Sequence, residues 1–190
     1  MCMKIYHKVR AAMVSAVMLA SITGSAQELA VKTNLLSDAL TVPSLGAEFT
    51  IGHRWTLNAD VEWMPAYQST NHYLRTLKVQ PEARFWFRAP FTGPFIGPSA
   101  HWRVYNMAGL PVFKLKDERI QGNFYSVGVT AGWHFTLSSR WGLESSLTLG
   151  YAYNDYRRYA EPRTRVVSRR CYMHYLGPTA ASLQLVYMLR

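Results

Sequence analysis

The sequence predicts an all-β protein: an eight-stranded antiparallel transmembrane β-barrel behind an N-terminal signal peptide. Three observations predict it. The chain opens with a positive head and a short apolar run. Alternation of large apolar residues with small or polar ones then recurs to its end. Short and long connections alternate between the alternating segments.

The leader comes first. Lys4, Lys8 and Arg10 form the positive head, and Ala11 to Ile22 is apolar. That run is shorter than the roughly 20 residues a spanning helix needs. Thr23-Gly24-Ser25-Ala26 places small residues before a cut. Residues 1–26 therefore read as a signal peptide, and residues 27–190 as a single outer-membrane domain beginning at Gln27. Cys171 is the one cysteine past the leader, so no intramolecular disulfide is expected. The formal charge is +10 for the whole chain, and it stays positive without the leader's three basic residues. Export and the lack of a basic helix argue against nucleic acid as the partner.

The strands follow in order. A weak first strand covers Ala30 to Leu35. In the second, Leu45, Ala47, Phe49 and Ile51 oppose Gly46, Glu48 and Thr50. Gly52-His53-Arg54 turns the chain into a third, where Trp55, Leu57, Ala59, Val61 and Trp63 share a face. Val79, Pro81, Ala83, Phe85 and Phe87 line the fourth, and Ile96, Pro98, Ala100, Trp102 and Val104 the fifth. Tyr125 to Phe135 is the clearest case, with Tyr125, Val127, Val129, Ala131, Trp133 and Phe135 on one side. Trp141 to Tyr153 repeats it, and the last strand sets Leu183, Leu185, Tyr187 and Leu189 against Ser182, Gln184 and Val186. This period of two marks strands with two unlike faces. Pro81, Pro98 and Pro178 cannot donate to a ladder, which places them at strand ends or bulges.

Which face looks outward is decided by composition. The polar face is rich in glycine and poor in lysine, as a narrow interior requires and a solvated exterior does not. Aromatics gather at two rims: Trp55, Phe135 and Trp141 at one, and Trp63, Tyr105, Tyr125, Tyr151 and Tyr153 at the other. Such girdles mark lipid interfaces. The connections at 52–54, 89–92 and 138–140 are short, whereas those at 64–76, 105–121 and 154–175 are long. Short periplasmic turns and long external loops are the usual asymmetry. Strands of nine to eleven residues are expected to span the lipid.

With the polar face inward, the interior receives Lys32, Glu48, Asp60, Glu62, Glu82, Arg84, His101, Arg103 and Glu144. Eight strands leave room only for side chains, so these charges are expected to pair into a plug. A wide diffusion pore is disfavoured, because wide barrels use many more strands; a narrow ion path and a buried catalytic group are the alternatives. A lipid A-modifying enzyme would need a nucleophile beside an oriented base. The pattern makes His134, Ser126, Ser146 and Glu144 neighbours across two strands but sets His134 near one rim and Ser126 near the other, and it offers His101 with Ser99 and Glu82. No cofactor, metal set or phosphate loop is indicated. The 154–175 connection carries Arg157, Arg158, Arg163, Arg165, Arg169 and Arg170 against Asp155 and Glu161, with Tyr153, Tyr156, Tyr159 and Tyr172 nearby. Arginine pairs geometrically with phosphate and carboxylate. The expected contacts are outer-membrane lipids, lipopolysaccharide or an acidic surface protein; the alternative is a solvated loop that grips its own membrane. A soluble ligand-carrying barrel is the remaining fallback.

Several stretches together resemble a known family. They are Val31-Lys32-Thr33-Asn34-Leu35-Leu36-Ser37-Asp38, Val79-Gln80-Pro81-Glu82-Ala83-Arg84-Phe85-Trp86, Gly122-Asn123-Phe124-Tyr125, Trp141-Gly142-Leu143-Glu144, Leu149-Gly150-Tyr151-Ala152-Tyr153 and Tyr175-Leu176-Gly177-Pro178-Thr179. They are similar to small outer-membrane barrels of Bacteroidetes classed as a domain of unknown function. The resemblance implies the fold and an outer-membrane location, brings no catalytic set, and adds a fimbria-assembly accessory role to the alternatives. Many outer-membrane barrels end in an aromatic residue read by the insertion machinery, which is an expected partner here too. This chain ends Tyr187-Met188-Leu189-Arg190, so its last in-phase aromatic is Tyr187.

Overall fold

A computed structural model describes residues 28–68, 73–108, 119–159 and 167–189. The expected signal peptide, residues 1–26, lies outside them. The strands are β1 (Leu29–Asn34), β2 (Ser44–Thr50), β3 (Trp55–Gln68), β4 (Tyr73–Trp86), β5 (Gly93–Ala108), β6 (Arg119–Thr136), β7 (Trp141–Tyr159) and β8 (Val167–Leu189). Each pairs antiparallel with the next, and β8 pairs with β1, so the sheet closes into a barrel. Closure removes the free edges of the sheet over the height of the β1–β8 ladder, from Leu29–Leu189 to Asn34–Gln184.

The alternation of residue types becomes an alternation of burial. Lys32, Glu48, Arg84 and Glu144 are sealed inside, while Leu45, Val127, Val129 and Leu149 stand exposed on the outside. Register explains why the faces stay in phase. Gly128 pairs with Gly150, Thr130 with Thr148 and His134 with Glu144, all inward. A slip of one residue would turn every one of them out. One end of the interior is stoppered by an apolar cluster of Ala30, Trp86, Phe91, Phe95, Val186 and Met188. Phe91 reaches it from the turn after β4 by adopting φ 56°, a left-handed conformation rare for a bulky residue. Trp86 anchors the cluster by donating from Nε1 to Thr56 Oγ1 at 2.9 Å.

Several expectations need correction. The 64–76 and 154–175 connections, read as long loops, are largely strand where they are described, and 105–108 and 119–121 are strand as well. The β7–β8 hairpin runs to Tyr159 and resumes at Val167, with Arg157 paired to Arg170 and Arg158 to Arg169. Strand length is correspondingly uneven: β1 has 6 residues and β2 has 7, whereas β8 has 23. Tyr105, placed in an outer girdle by pattern, instead turns inward, is buried, and donates to Asn154 Oδ1 at 2.8 Å. Pro81 and Pro98 lie inside β4 and β5 rather than at their ends. The β4–β5 pairing is discontinuous around them, present at Val79–Trp102, Glu82–Ser99 and Phe85–Ile96. Each proline thus sits where a ladder donor is not demanded. Pro178 does adjoin a bulge, between Thr148 and Leu149 on its partner strand.

A short helix, α1 (Leu35–Ala39), follows β1 and was not expected. Asn34 caps it by accepting from the Leu36 amide at 3.2 Å. Asp38 accepts from the Ser44 amide at 3.0 Å and so ties the helix to the start of β2. No helix among the described residues is long and apolar enough to cross a membrane, which says nothing about crossing by strands.

Candidate functional site: a buried charge network and an arginine hairpin

The interior holds two ionic groups at different heights. The lower one is built from four strands. Arg84 on β4 donates from Nε to Glu82 Oε2 at 2.7 Å, and from Nη1 to Glu48 on β2 and Glu144 on β7, each at 2.7 Å. Lys32 on β1 donates to Glu144 at 2.9 Å and to Glu48. Thr56 donates to the other Glu48 oxygen. Glu82 also accepts from Gln80 at 2.6 Å and from Thr130 at 3.3 Å. Arg84 further stands 4.5 Å from the Phe95 ring centroid. Two cations thus answer three carboxylates, and every carboxylate oxygen accepts at least one hydrogen bond. That is the condition under which a buried ionic group avoids its desolvation penalty. The network crosses the lumen from β4 to β7 and forms a bar across it.

Asp60 stands beside this group and accepts from Asn58 at 2.8 Å. His134 Nδ1 lies 3.6 Å from Glu144, too far for a hydrogen bond. The upper group centres on Glu62, which accepts from Lys78 at 3.0 Å, Arg103 at 2.8 Å and Ser37 of α1 at 2.8 Å. Between the two groups lies a cavity of about 10 Å³ lined by Asp60, Glu62, Lys78, Ser146, Thr148 and Gln184, among others. That is room for one water. His101 enters neither group: it stacks on Phe124 at 5.2 Å, with Nδ1 buried and unpartnered among the described residues.

Lys78 escapes sequence reading because the apolar alternation of the fourth strand is clear only from Val79, one residue after it. The inward phase Lys78, Gln80, Glu82, Arg84 carried the information. The serines weighed as nucleophiles are dispersed. Ser146 shares a hydrogen bond with Ser182 at 2.7 Å, Ser99 shares one with Thr130 at 2.9 Å, and Ser126 pairs across the sheet with His101 and has an Oγ unpartnered among the described residues. Among the described residues no group of three or more His, Cys, Asp or Glu could hold a metal ion.

The second feature is the free end of the β7–β8 hairpin. Arg157 and Arg158 stand on β7 and Arg169 and Arg170 on β8; Arg163 and Arg165 lie outside the described residues. The pairing sets Arg157 opposite Arg170 and Arg158 opposite Arg169. Like charges directly opposite one another destabilise a sheet. Asp155 offsets part of this, accepting from Arg170 at 2.9 and 3.3 Å. The hydrogen bond from Arg170 holds the Asp155 carboxyl below its ordinary 3.8. Arg158 lies 5.8 Å from the Tyr156 ring and Arg170 5.1 Å from the Tyr172 ring. The hairpin end is a positive surface with flat aromatic partners.

The chain matches, over residues 12–189, the model of a family described as a protein of unknown function, DUF3575, and it belongs to that family. No curated protein matches it.

Proposed function

We propose that this DUF3575 protein is an outer-membrane β-barrel with a surface-interaction role, plugged by its own charges. On this reading it meets anionic surface groups through the arginine hairpin. One observation carries the membrane part: the fold is inverted. Its fully buried large side chains include Arg84, Lys32, Glu48 and Glu144, while Trp63, Val127 and Leu149 are each more than half exposed. Water-soluble monomers rarely expose contiguous apolar surface of this extent. In a bilayer the same surface meets hydrocarbon. The aromatic belts fit that placement, with Trp55, Phe135 and Trp141 exposed toward the short turns and Trp63, Tyr125 and Tyr151 toward the long strands. The short turns then face the periplasm and the β7–β8 hairpin the exterior. Bar and stopper support a closed interior over a conducting one. Insertion by the outer-membrane machinery follows from the same placement.

Membrane fractionation with seminative electrophoresis tests this. The protein is expected in the outer-membrane fraction, with different mobilities before and after boiling. One mobility and a soluble location would overturn the proposal. Lipopolysaccharide binding by the Arg157→Gln, Arg158→Gln, Arg169→Gln, Arg170→Gln variant tests the hairpin, and undiminished binding would remove its role.

A further inference from the structure

The barrel wall is incomplete on one side. The β1–β8 ladder stops at Asn34–Gln184, and the β2–β3 ladder stops at Ser44–Glu62. Above these points β3 continues to Gln68 and β8 reaches back to Val167. Helix α1 and the link after it cover the lowest part of the gap. The Leu183 amide donates to Asn34 Oδ1 at 3.3 Å, and the Trp63 amide to the Pro43 carbonyl at 3.0 Å. Higher up, β8 pairs with β7 alone among the described residues. Pro178, which has no amide hydrogen, interrupts this edge, and the stretch above it runs from Val167 to Gly177. Its side chains from Arg169 to Leu176 are exposed on both faces except Cys171, which is half-buried. The alternation of burial seen elsewhere in the barrel is lost there.

We infer that the open edge of β8 between Val167 and Gly177 receives an extended, acidic segment of another protein, added as a strand. An unpaired strand edge is a template for main-chain pairing, and β-augmentation is how proteins use one. Three observations select the occupant. First, the edge prolongs a ladder that β1 already makes, so an added strand would run antiparallel to β8, in the direction of β1. Second, a second copy is a poor occupant. Two copies inserted the same way in one membrane carry their β8 strands in the same direction, which excludes antiparallel β8–β8 pairing. Third, the facing pairs Arg157–Arg170 and Arg158–Arg169 gather positive charge at the upper end of the edge. Carboxylates there relieve a repulsion already built into the hairpin. The polarity is fixed as well: an antiparallel segment brings its C-terminal end to Arg169 and Arg170.

This inference rests on the surface reading above, and the experiment separates the two. The full chain is placed in phospholipid nanodiscs, and heat-modifiable mobility first reports an intact barrel. The probe is a synthetic peptide of about ten residues alternating Thr and Val, with aspartates at its C-terminus. Hydrogen exchange of residues 167–177 is expected to slow on its addition. The same peptide with its aspartates at the N-terminus should bind about tenfold more weakly. The variant Arg169→Gln, Arg170→Gln should erase that preference without changing barrel mobility. No added protection in an intact barrel would overturn the inference. So would equal binding of the two peptides, or the same protection from lipid A alone, which would assign the cluster to headgroups.

Discussion

Replacing Arg84 by methionine should destabilise the barrel by several kcal/mol. Arg84 is 1 % exposed and bonded to Glu48, Glu82 and Glu144. Methionine approximates its length and keeps contact with Phe95, but removes the charge. Three buried carboxylates would then face Lys32 alone, which reaches Glu48 and Glu144 but makes no ion pair with Glu82. Removing one partner of a buried ionic group costs about 3–5 kcal/mol, because the other is left uncompensated. The lower end of that range already cuts a folding equilibrium by roughly two orders of magnitude. Adding Glu144→Gln to Arg84→Met removes one stranded charge and leaves two carboxylates for Lys32. The double variant should therefore recover about 1–3 kcal/mol relative to simple addition of the single effects. Urea unfolding of protein refolded into vesicles, followed by tryptophan fluorescence and gel mobility, measures both. A loss below about 1 kcal/mol for Arg84→Met, or strict additivity in the double variant, would refute the view of the bar as one coupled unit.

Two further outcomes follow from local geometry. At Gly97 an added Cβ would overlap the Ala83 carbonyl oxygen and lie 2.8 Å from its carbon. Gly97→Ala should thus push β4 from β5 and cost about 1–3 kcal/mol in the same unfolding assay; an unchanged midpoint would contradict this close approach. For Asp155, the folded carboxyl lies below its ordinary 3.8 because Arg170 bonds its charged form. Its contribution to ordering the hairpin is accordingly complete above that ordinary value and fades as pH falls through the lower folded one. Carboxyl NMR should show Asp155 titrating below 3.8 in the parent protein, and nearer to it in Arg170→Ala. Identical titrations would discard the pair.

Strand number and facing were legible in the sequence because each strand has two unlike faces, and one-residue slips invert them. Tyr125 to Phe135 shows this most plainly. Strand length was not legible. Beyond Tyr151 on β7, Tyr153, Asn154, Asp155 and Tyr156 are all half-buried, so the contrast that reveals a strand fades while the ladder continues. Arg157, Arg158, Arg169 and Arg170 therefore read as loop residues when they stand on paired strands. Helix α1 escaped notice for a different reason. Its hold comes from distant partners, with Ser37 on Glu62 and Asn34 on Leu183, and periodicity carries no trace of such bonds. The interior charges were visible as one list. That they divide into a lower group around Arg84 and an upper one around Glu62 depends on register and strand tilt, which residue alternation does not carry. The notch beside β8 was hidden likewise, since it follows from the shortness of β1 and β2.

The central claim is that the apolar outside of the barrel lies in hydrocarbon. It is tested most directly by an arginine placed on that face at two depths of β6. Val129 is 49 % exposed near the middle of the strand, and Phe135, equally exposed, lies at the short-turn rim. In vesicles, Val129→Arg should destabilise the barrel by about 2–4 kcal/mol, and Phe135→Arg by no more than about 1 kcal/mol. Near-zero effects at both positions would mean that water, and not lipid, surrounds the barrel.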